Sequence, residues 1–461
     1  MGDRILKIMI KANQFAFTSY EVDETAGIFT FRYTVELGAG DRRDFSESLI
    51  LPDFDVDAWH AIPDPLKQSV LQALHLALGV SYWKMHCAQR IRIEGYFLTP
   101  EQAEFWNVVY TKGLGEFFFR NQIDYRGLVN FPSSDMASPN AVELQRQDRC
   151  FVPIGGGKDS AVSLEMLRRG GYELKLISLG TSFVQKQMAQ AAGMETLVIH
   201  RKLDQAMLDL TKRNEVYNGH VPISMIYSFV GVLAALVYDY RWIVFSNERS
   251  AEEGNVEYYG NVINHQWSKS EEFERMVQAY VKRYVTPSVT PFSLLRPLTE
   301  FEVVRRFAVE KKYFKDFSSC NRNFVVASDQ PISDRGAYWC CACPKCAFVF
   351  AMLSAWLSRS ELISIFGQDL YSRQELLPLF KQLLGLEDFK PFECVGTPEE
   401  MKVAMRRAHL TGSYDGEVVM EYFTYQVEKT VPNFAKLERE LLEAVDVDKL
   451  PKEFRKLYLE I

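Results

Sequence analysis

The sequence predicts an α/β fold, with a central parallel sheet preceded by an α+β region and followed by a mostly helical region. Three observations carry that expectation. From Arg149 onward, short apolar runs alternate with helical stretches, as they do where crossover helices join parallel strands. Before Arg149, aromatic and branched stretches give way to helical periodicity. The first apolar run of the middle region ends directly on three glycines and a helix start. The expected divisions are residues 1–140, 141–357 and 358–461.

In the first region, residues 15–22, 28–37 and 45–51 read as strands rich in aromatic and β-branched residues. From Leu66 to Asn121 apolar residues recur at three-to-four spacing, and Pro100 restarts a helix behind Thr99 as its N-cap. The Pro- and Ser-rich stretch 131–140 is the expected boundary. In the middle region, strands are expected at 150–154, 174–179, 195–200 and 242–246, and helices from near Asp159, Ser182, Leu203, Pro222 and Ser268. Residues 347–357 read as a buried helix, and 358–461 as mostly helical.

The 461 residues carry 53 Lys+Arg against 60 Asp+Glu, a net charge of -7, with 47% hydrophobic residues. That balance belongs to a folded globule, and it disfavours disorder and a uniformly basic nucleic-acid binder. Residues 1–11 lack the continuous apolar core of a secretory signal. The longest uncharged apolar run, 229–237, falls short of the roughly 20 residues that cross a bilayer. The expectation is a cytoplasmic protein with reduced thiols, no membrane span and no nucleic-acid partner.

The run 150–154 leads straight into Gly155, Gly156, Gly157, Lys158, Asp159 and Ser160, and then into an amphipathic helix. Glycines let backbone N–H groups approach a ligand closely, and a helix start adds unpaired N–H groups and the positive end of its dipole. The combination is an anion cradle. Lys158 can neutralise charge on a leaving phosphate group, Asp159 can hold Mg²⁺ through water, and Ser160 can cap the helix and bond phosphate. The order resembles the Ser-Gly-Gly-x-Asp-Ser loop of the HUP-like ATP pyrophosphatases, which cleave ATP to AMP and pyrophosphate. Gly156, Gly157, Asp159 and Ser160 match that loop, while Gly155 replaces its usual Ser.

Of the 8 cysteines, Cys340, Cys341, Cys343 and Cys346 crowd together, whereas Cys87, Cys150, Cys320 and Cys394 are isolated. Cys340, Cys343 and Cys346 at x2 spacing offer three thiolates on one loop, and Cys320 can supply the fourth of a tetrahedral Zn²⁺ site. Cys341 is then the spare. An iron–sulfur cluster and a set of buried thiols are the alternatives. The pattern is similar to the zinc site of 7-cyano-7-deazaguanine synthase, with a longer gap and without that enzyme's following Arg.

Further on, Ser246-Asn-Glu248-Arg249-Ser-Ala leaves a strand at its C-terminal end, where open α/β sheets bind ligands. Asn264-His265-Gln-Trp-Ser-Lys269-Ser follows, and Asn218-Gly-His220-Val-Pro-Ile-Ser224 is another polar loop entering a helix. Glu248, Arg249, His265 and Lys269 are a set suited to binding a carboxylate and moving a proton. Structural roles are the alternative for each: an ion pair for Glu248 and Arg249, a hydrogen-bonded histidine for His265, a solvated helix start for Lys269.

Together with the glycine loop and Cys-x-Cys-Pro-Lys-Cys, these segments resemble the UDP-N-acetylmuramoyl-L-alanyl-L-glutamate epimerase family, most clearly over 149–350. The resemblance implies inversion of the terminal L-glutamate of a peptidoglycan precursor, using ATP and Mg²⁺, with a UDP-sugar dipeptide as the substrate. A carboxylate adenylated at the expense of ATP loses the charge that opposes α-proton removal. On this reading Gly155 to Ser160 hold the phosphates, His265, Glu248 and Lys269 are the candidates for proton transfer, and Arg249 positions the substrate carboxylate. Two rival readings share the loop. One is a tRNA or nucleobase modifying enzyme that adenylates a carbonyl oxygen, with Cys341 as a reactive thiol; the other is a non-catalytic ATP-binding module.

Overall fold

The computed structural model describes residues 12–135, 141–324, 338–387 and 389–458. Residues 1–11 and the part of the expected boundary at 136–140 lie outside that set. The strands, in chain order, are β1 (Ala12–Asp23), β2 (Ile28–Leu37), β3 (Arg42–Ile50), β4 (Arg90–Ile93), β5 (Cys150–Pro153), β6 (Leu174–Leu179), β7 (Thr196–Lys202), β8 (Trp242–Phe245), β9 (Val256–Tyr258), β10 (Asn261–Ile263) and β11 (Thr290–Ser293). All but the β9–β10 hairpin join one 9-stranded sheet in the order β11-β8-β5-β6-β7-β3-β2-β1-β4.

The sheet has two halves. From β11 to β7 neighbouring strands are parallel. From β7 through β3 and β2 to β1 they are antiparallel, with β4 parallel to β1 at the far edge. The first-region strands therefore extend the central sheet without a break, through Leu49 opposite Arg201. Four strands were not anticipated: β9 and β10 of the short hairpin, and β4 and β11, which are the two edges of the large sheet. Arg90-Ile-Arg-Ile and Thr290-Pro-Phe-Ser carry the charge and the proline that edge strands tolerate, and which hide a strand signal.

Side-chain alternation feeds two cores, one on each face. On β5, Phe151 joins the core that contains Trp83 and Phe229, while Cys150 and Val152 join the core of Leu164, Phe301, Phe348 and Met401. The first core is covered by the helices Asp64–Trp83 and Ile223–Val237, which pack together. The second lies under Lys158–Arg169, Glu300–Phe307, Pro344–Ser354 and Pro398–Leu410. Thr99 and Ser182 both close capping boxes, so the chain enters Pro100–Gly113 and Phe183–Ala192 where local sequence signals it. The last region is a succession of short helices, including Arg359–Phe366 and Phe434–Leu442. Among the described residues no helix is long and apolar enough to cross a membrane.

Where the two halves of the sheet meet, Glu47 on β3 is wholly buried and takes the Arg201 guanidinium of β7 on both carboxylate oxygens. Arg201 also donates to Ser81 Oγ at 3.0 Å, on the helix Asp64–Trp83. Removing one partner of such a pair strands a charge without water. Glu47→Gln is expected to destabilise the fold by about 3 kcal/mol, and Glu47→Leu with Arg201→Met by less, as read from urea unfolding midpoints.

Candidate active site

From β5 the chain moves to β6 and β7 on one side, then returns to place β8 and β11 on the other. The loops leaving β5 and β8 consequently diverge at the C-terminal edge, the crevice where doubly wound sheets bind ligands. A cavity of about 300 Å³ opens there, lined by the glycine loop, by Ser246 to Glu248 and by Glu300.

The glycine loop is built for close approach. Gly156 has φ +90, and a Cβ there would lie 2.7 Å from Val184 Cγ1. Gly157 is the N-cap of the helix Lys158–Arg169, and no side chain caps it. Ser160, anticipated as a cap, instead sits inside the first turn and its hydroxyl donates to the Gly157 carbonyl at 3.1 Å. The helix start faces the cavity with its backbone donors, a setting that suits a phosphate group.

Lys158 is buried, with its ammonium 2.6 Å from Asp159 Oδ1 and 2.5 Å from Glu300 Oε1. Burial disfavours its charge, but the two carboxylates hold it protonated, above the ordinary lysine range. Carboxylate oxygens of Asp159, Glu248 and Glu300 all lie within 4.8 Å of one another. Burial first, and then the neighbouring carboxylate charge, pushes both Glu248 and Glu300 upward. An all-oxygen set with surplus negative charge beside a phosphate cradle fits Mg²⁺.

Buried partners hold these groups in place. Arg296 donates to the Glu248 carbonyl at 3.1 Å and to the Lys269 carbonyl at 2.6 Å, and is itself paired with Glu252 and Glu274. Glu400, on the helix Pro398–Leu410, accepts from Ser250 Oγ at 2.6 Å and from the Phe301 N–H at 3.2 Å, while Ser250 Oγ accepts from the Glu300 N–H at 3.0 Å.

A second cavity of about 390 Å³ shares Ser224, Gln266, Lys269, Lys345 and Cys394 with the first. On its wall His265 Nδ1 bonds Glu116, and His220 Nδ1 stands 3.3 Å from the same carboxylate. Arg120 pairs with the other Glu116 oxygen. Cys394 Sγ lies 3.8 Å from His265 Nε2 and accepts from Lys269 Nζ at 3.2 Å. Burial opposes ionisation of this thiol, but Lys269, Lys345 and His265 hold it well below the ordinary range. Burial likewise works against His265, yet Cys394 and Glu116 raise it to about 9. His220 is pushed down to about 3 by burial and by His265.

The sulfurs of Cys320, Cys340, Cys343 and Cys346 lie within 4.8 Å of one another, the arrangement a tetrahedral Zn²⁺ requires. Their loop is joined to the glycine loop, since the Ser318 N–H donates to the Gly156 carbonyl at 3.0 Å and the Cys320 N–H to Ser318 Oγ at 3.1 Å. Lys345, between Cys343 and Cys346, lines both cavities. Cys341 is buried and donates to the carbonyls of Trp339 and Phe366, and burial raises its thiol.

Lys158, Asp159, Ser160, Glu248 and Lys269 thus meet at one cavity with Gly155 and Gly157, Gly156 forms the turn beneath, and His265 stands in the adjoining space. Arg249 does not line either cavity: its guanidinium reaches the Glu440 carbonyl beside a separate surface cleft. Glu116, Glu300, Lys345 and Cys394 were not anticipated as site residues. Thr299-Glu300-Phe-Glu302 reads only as a capped helix start with an acidic first turn, and Cys394 stands alone in its stretch.

Comparison with known proteins agrees along the whole chain. The family described as MurL N-terminal domain matches residues 8–294, and MurL C-terminal domain matches residues 316–438. A protein of Xanthomonas oryzae pv. oryzae is 35% identical over 425 residues, covering 92% of each chain. One of Micromonospora sp. is 36% identical over 397 residues, 86% of each chain. One of Salinispora tropica is 35% identical over 402 residues, 86% of this chain and 84% of its own. All three are named UDP-N-acetyl-alpha-D-muramoyl-L-alanyl-L-glutamate epimerase. With both family domains matched in order and relatives aligned over nearly its full length, the chain belongs to the MurL family.

Proposed function

We propose that the protein is an ATP-dependent epimerase that inverts the terminal L-glutamate of UDP-N-acetylmuramoyl-L-alanyl-L-glutamate to D-glutamate in cytoplasmic peptidoglycan precursor synthesis. The observation that supports this most is the continuity of the two cavities. A phosphate cradle at the glycine loop opens directly onto a wall of proton-transfer groups, Lys269, His265 and Cys394. Glutamate epimerisation by adenylation calls for those two chemistries on adjoining parts of one group, since the α-phosphorus and the α-carbon of an acyl-adenylate are three bonds apart.

A free carboxylate opposes removal of its own α-proton, because the product would crowd two negative charges. The substrate carboxylate attacks the ATP α-phosphate, pyrophosphate departs, and the neutral acyl-adenylate has an acidified α-proton. Gly155 to Ser160 hold the phosphates, and Lys158, charged and fixed between Asp159 and Glu300, offsets the charge that develops on pyrophosphate. Asp159, Glu248 and Glu300 would hold Mg²⁺, which supplies Lewis-acid neutralisation of the phosphates. Proton removal and return on the opposite face invert the carbon, and hydrolysis releases AMP and the D-epimer. The second cavity, with Arg120 and Lys345 in its lining, offers room and positive charge for the rest of an anionic substrate.

In D₂O with the UDP-sugar dipeptide, deuterium is expected at the glutamate α-carbon only when ATP and Mg²⁺ are present, with AMP and pyrophosphate as products. Release of ADP, or no α-deuterium, overturns the reading. Asp159→Ala is expected to lower turnover by about 10²–10³-fold with an unchanged unfolding midpoint, checked by pyrophosphate release and thermal melting. Zinc analysis should find about one ion per chain, and Cys343→Ser should lose it together with several degrees of melting temperature.

A further inference from the structure

Resting on the epimerase reading above, we propose that Cys394 is the residue that takes the substrate α-proton, with Glu116 and His265 as a positioning relay behind it. Cys394 lies at the junction of the two cavities, where a carboxyl group activated at the glycine loop would present its α-carbon. None of the other isolated cysteines shares this setting, since Cys87, Cys150 and Cys320 line neither cavity.

The relay has a direction. Glu116 accepts from His265 Nδ1, which fixes the imidazole ring and turns Nε2 toward Cys394 Sγ, 3.8 Å away. On the far side of the sulfur, Lys269 donates at 3.2 Å. Asn255 keeps the parts in register: its Oδ1 accepts from the His265 N–H at 2.8 Å, while its Nδ2 donates to the Pro391 carbonyl at 2.8 Å, on the loop that carries Cys394. Gln266 donates to the Val395 carbonyl at 3.3 Å, on the other side of the cysteine. Asn255 and Gln266, at the two ends of the β9–β10 hairpin, are therefore tied to both flanks of Cys394.

The other candidates are occupied. Glu248 belongs to the carboxylate group around Lys158, and Lys269 is held charged by Cys394 and Glu248 against its burial. His265, raised to about 9 between Cys394 and Glu116, is a proton donor at neutral pH. Among the described residues that line both cavities, Cys394 alone offers a sulfur lone pair with the cations Lys269, Lys345 and His265 around it. In the forward step the α-C–H bond breaks, its proton joins Sγ, and the electron pair moves into the activated carboxyl to give the planar enolate. A proton from solvent on the opposite face completes inversion, and the proton on Sγ then passes to water in the cavity, which restores the thiolate. In the reverse step the thiol returns its proton to the enolate.

The test compares the full-length wild type with Cys394→Ser and Cys394→Ala, using UDP-N-acetylmuramoyl-L-alanyl-L-glutamate, ATP and Mg²⁺. Two half-reactions are followed, substrate-dependent ATP–pyrophosphate exchange and α-deuterium uptake from D₂O, with circular dichroism as the check on folding. Both variants are expected to keep measurable pyrophosphate exchange and to lose deuterium uptake by about 10²–10⁴-fold. Iodoacetamide is expected to alkylate Cys394 of the wild type ahead of Cys87, Cys150 and Cys341, and more slowly with substrate and ATP bound. Wild-type-like deuterium uptake by the variants overturns the assignment, as does loss of both half-reactions together. A wild type that takes up no deuterium overturns the epimerase reading itself, which separates that failure from a failure of Cys394.

Discussion

The ammonium of Lys158 is buried between carboxylates of Asp159 and Glu300, with Glu248 alongside, and this cluster of charge constrains everything around it. Lys158 and the neighbouring Lys269 offset only two of the three carboxylates, so the group can take further positive charge. That requirement explains why the glycine loop, the β8 loop and the start of the helix Glu300–Phe307 must converge. It also explains the depth of the surrounding support. Arg296 holds the backbone of Glu248, and Glu400 with Ser250 holds the backbone at Glu300, so the carboxylates cannot separate to relieve their repulsion.

The same supports reach into the last region of the chain. Glu400 and Cys394 both come from beyond the parallel sheet, one bonding Ser250 beside Glu300 and the other standing at the junction of the cavities. Ser318, two residues before Cys320, bonds the Gly156 carbonyl, and Lys345, between Cys343 and Cys346, reaches into the same space. Helices packed on one face of the sheet thereby complete a site that the strand ends only begin. The other face, with its antiparallel extension, contributes Glu116 and the ring positions of His220 and His265.

Much of this was legible because it is local. Strand β2 and strand β6 follow uninterrupted apolar or alternating patterns, and Thr99 and Ser182 announce their helices through capping boxes a few residues long. The glycine loop is visible because strand, glycines and helix are consecutive. The cysteine triplet is visible because its spacing is. Edge strands β4 and β11 escaped notice because arginine and proline there obey the needs of a sheet edge rather than a strand pattern. Ser160 falls inside the helix because Gly157, without a side chain, already occupies the cap position.

By itself the sequence indicated the α/β alternation, the glycine loop between a strand and a helix, the grouping of Cys320, Cys340, Cys343 and Cys346, and the importance of Glu248, His265 and Lys269, which line two adjoining cavities. Only the tertiary structure decided that Arg249 turns away, that Glu300 completes the carboxylate group, and that Cys394 meets His265 and Lys269. The reason is separation along the chain. Propensity, capping and spacing act over a few residues, whereas Glu116, His265 and Cys394 become neighbours only when the sheet order and the helices packed on it bring distant loops to one edge.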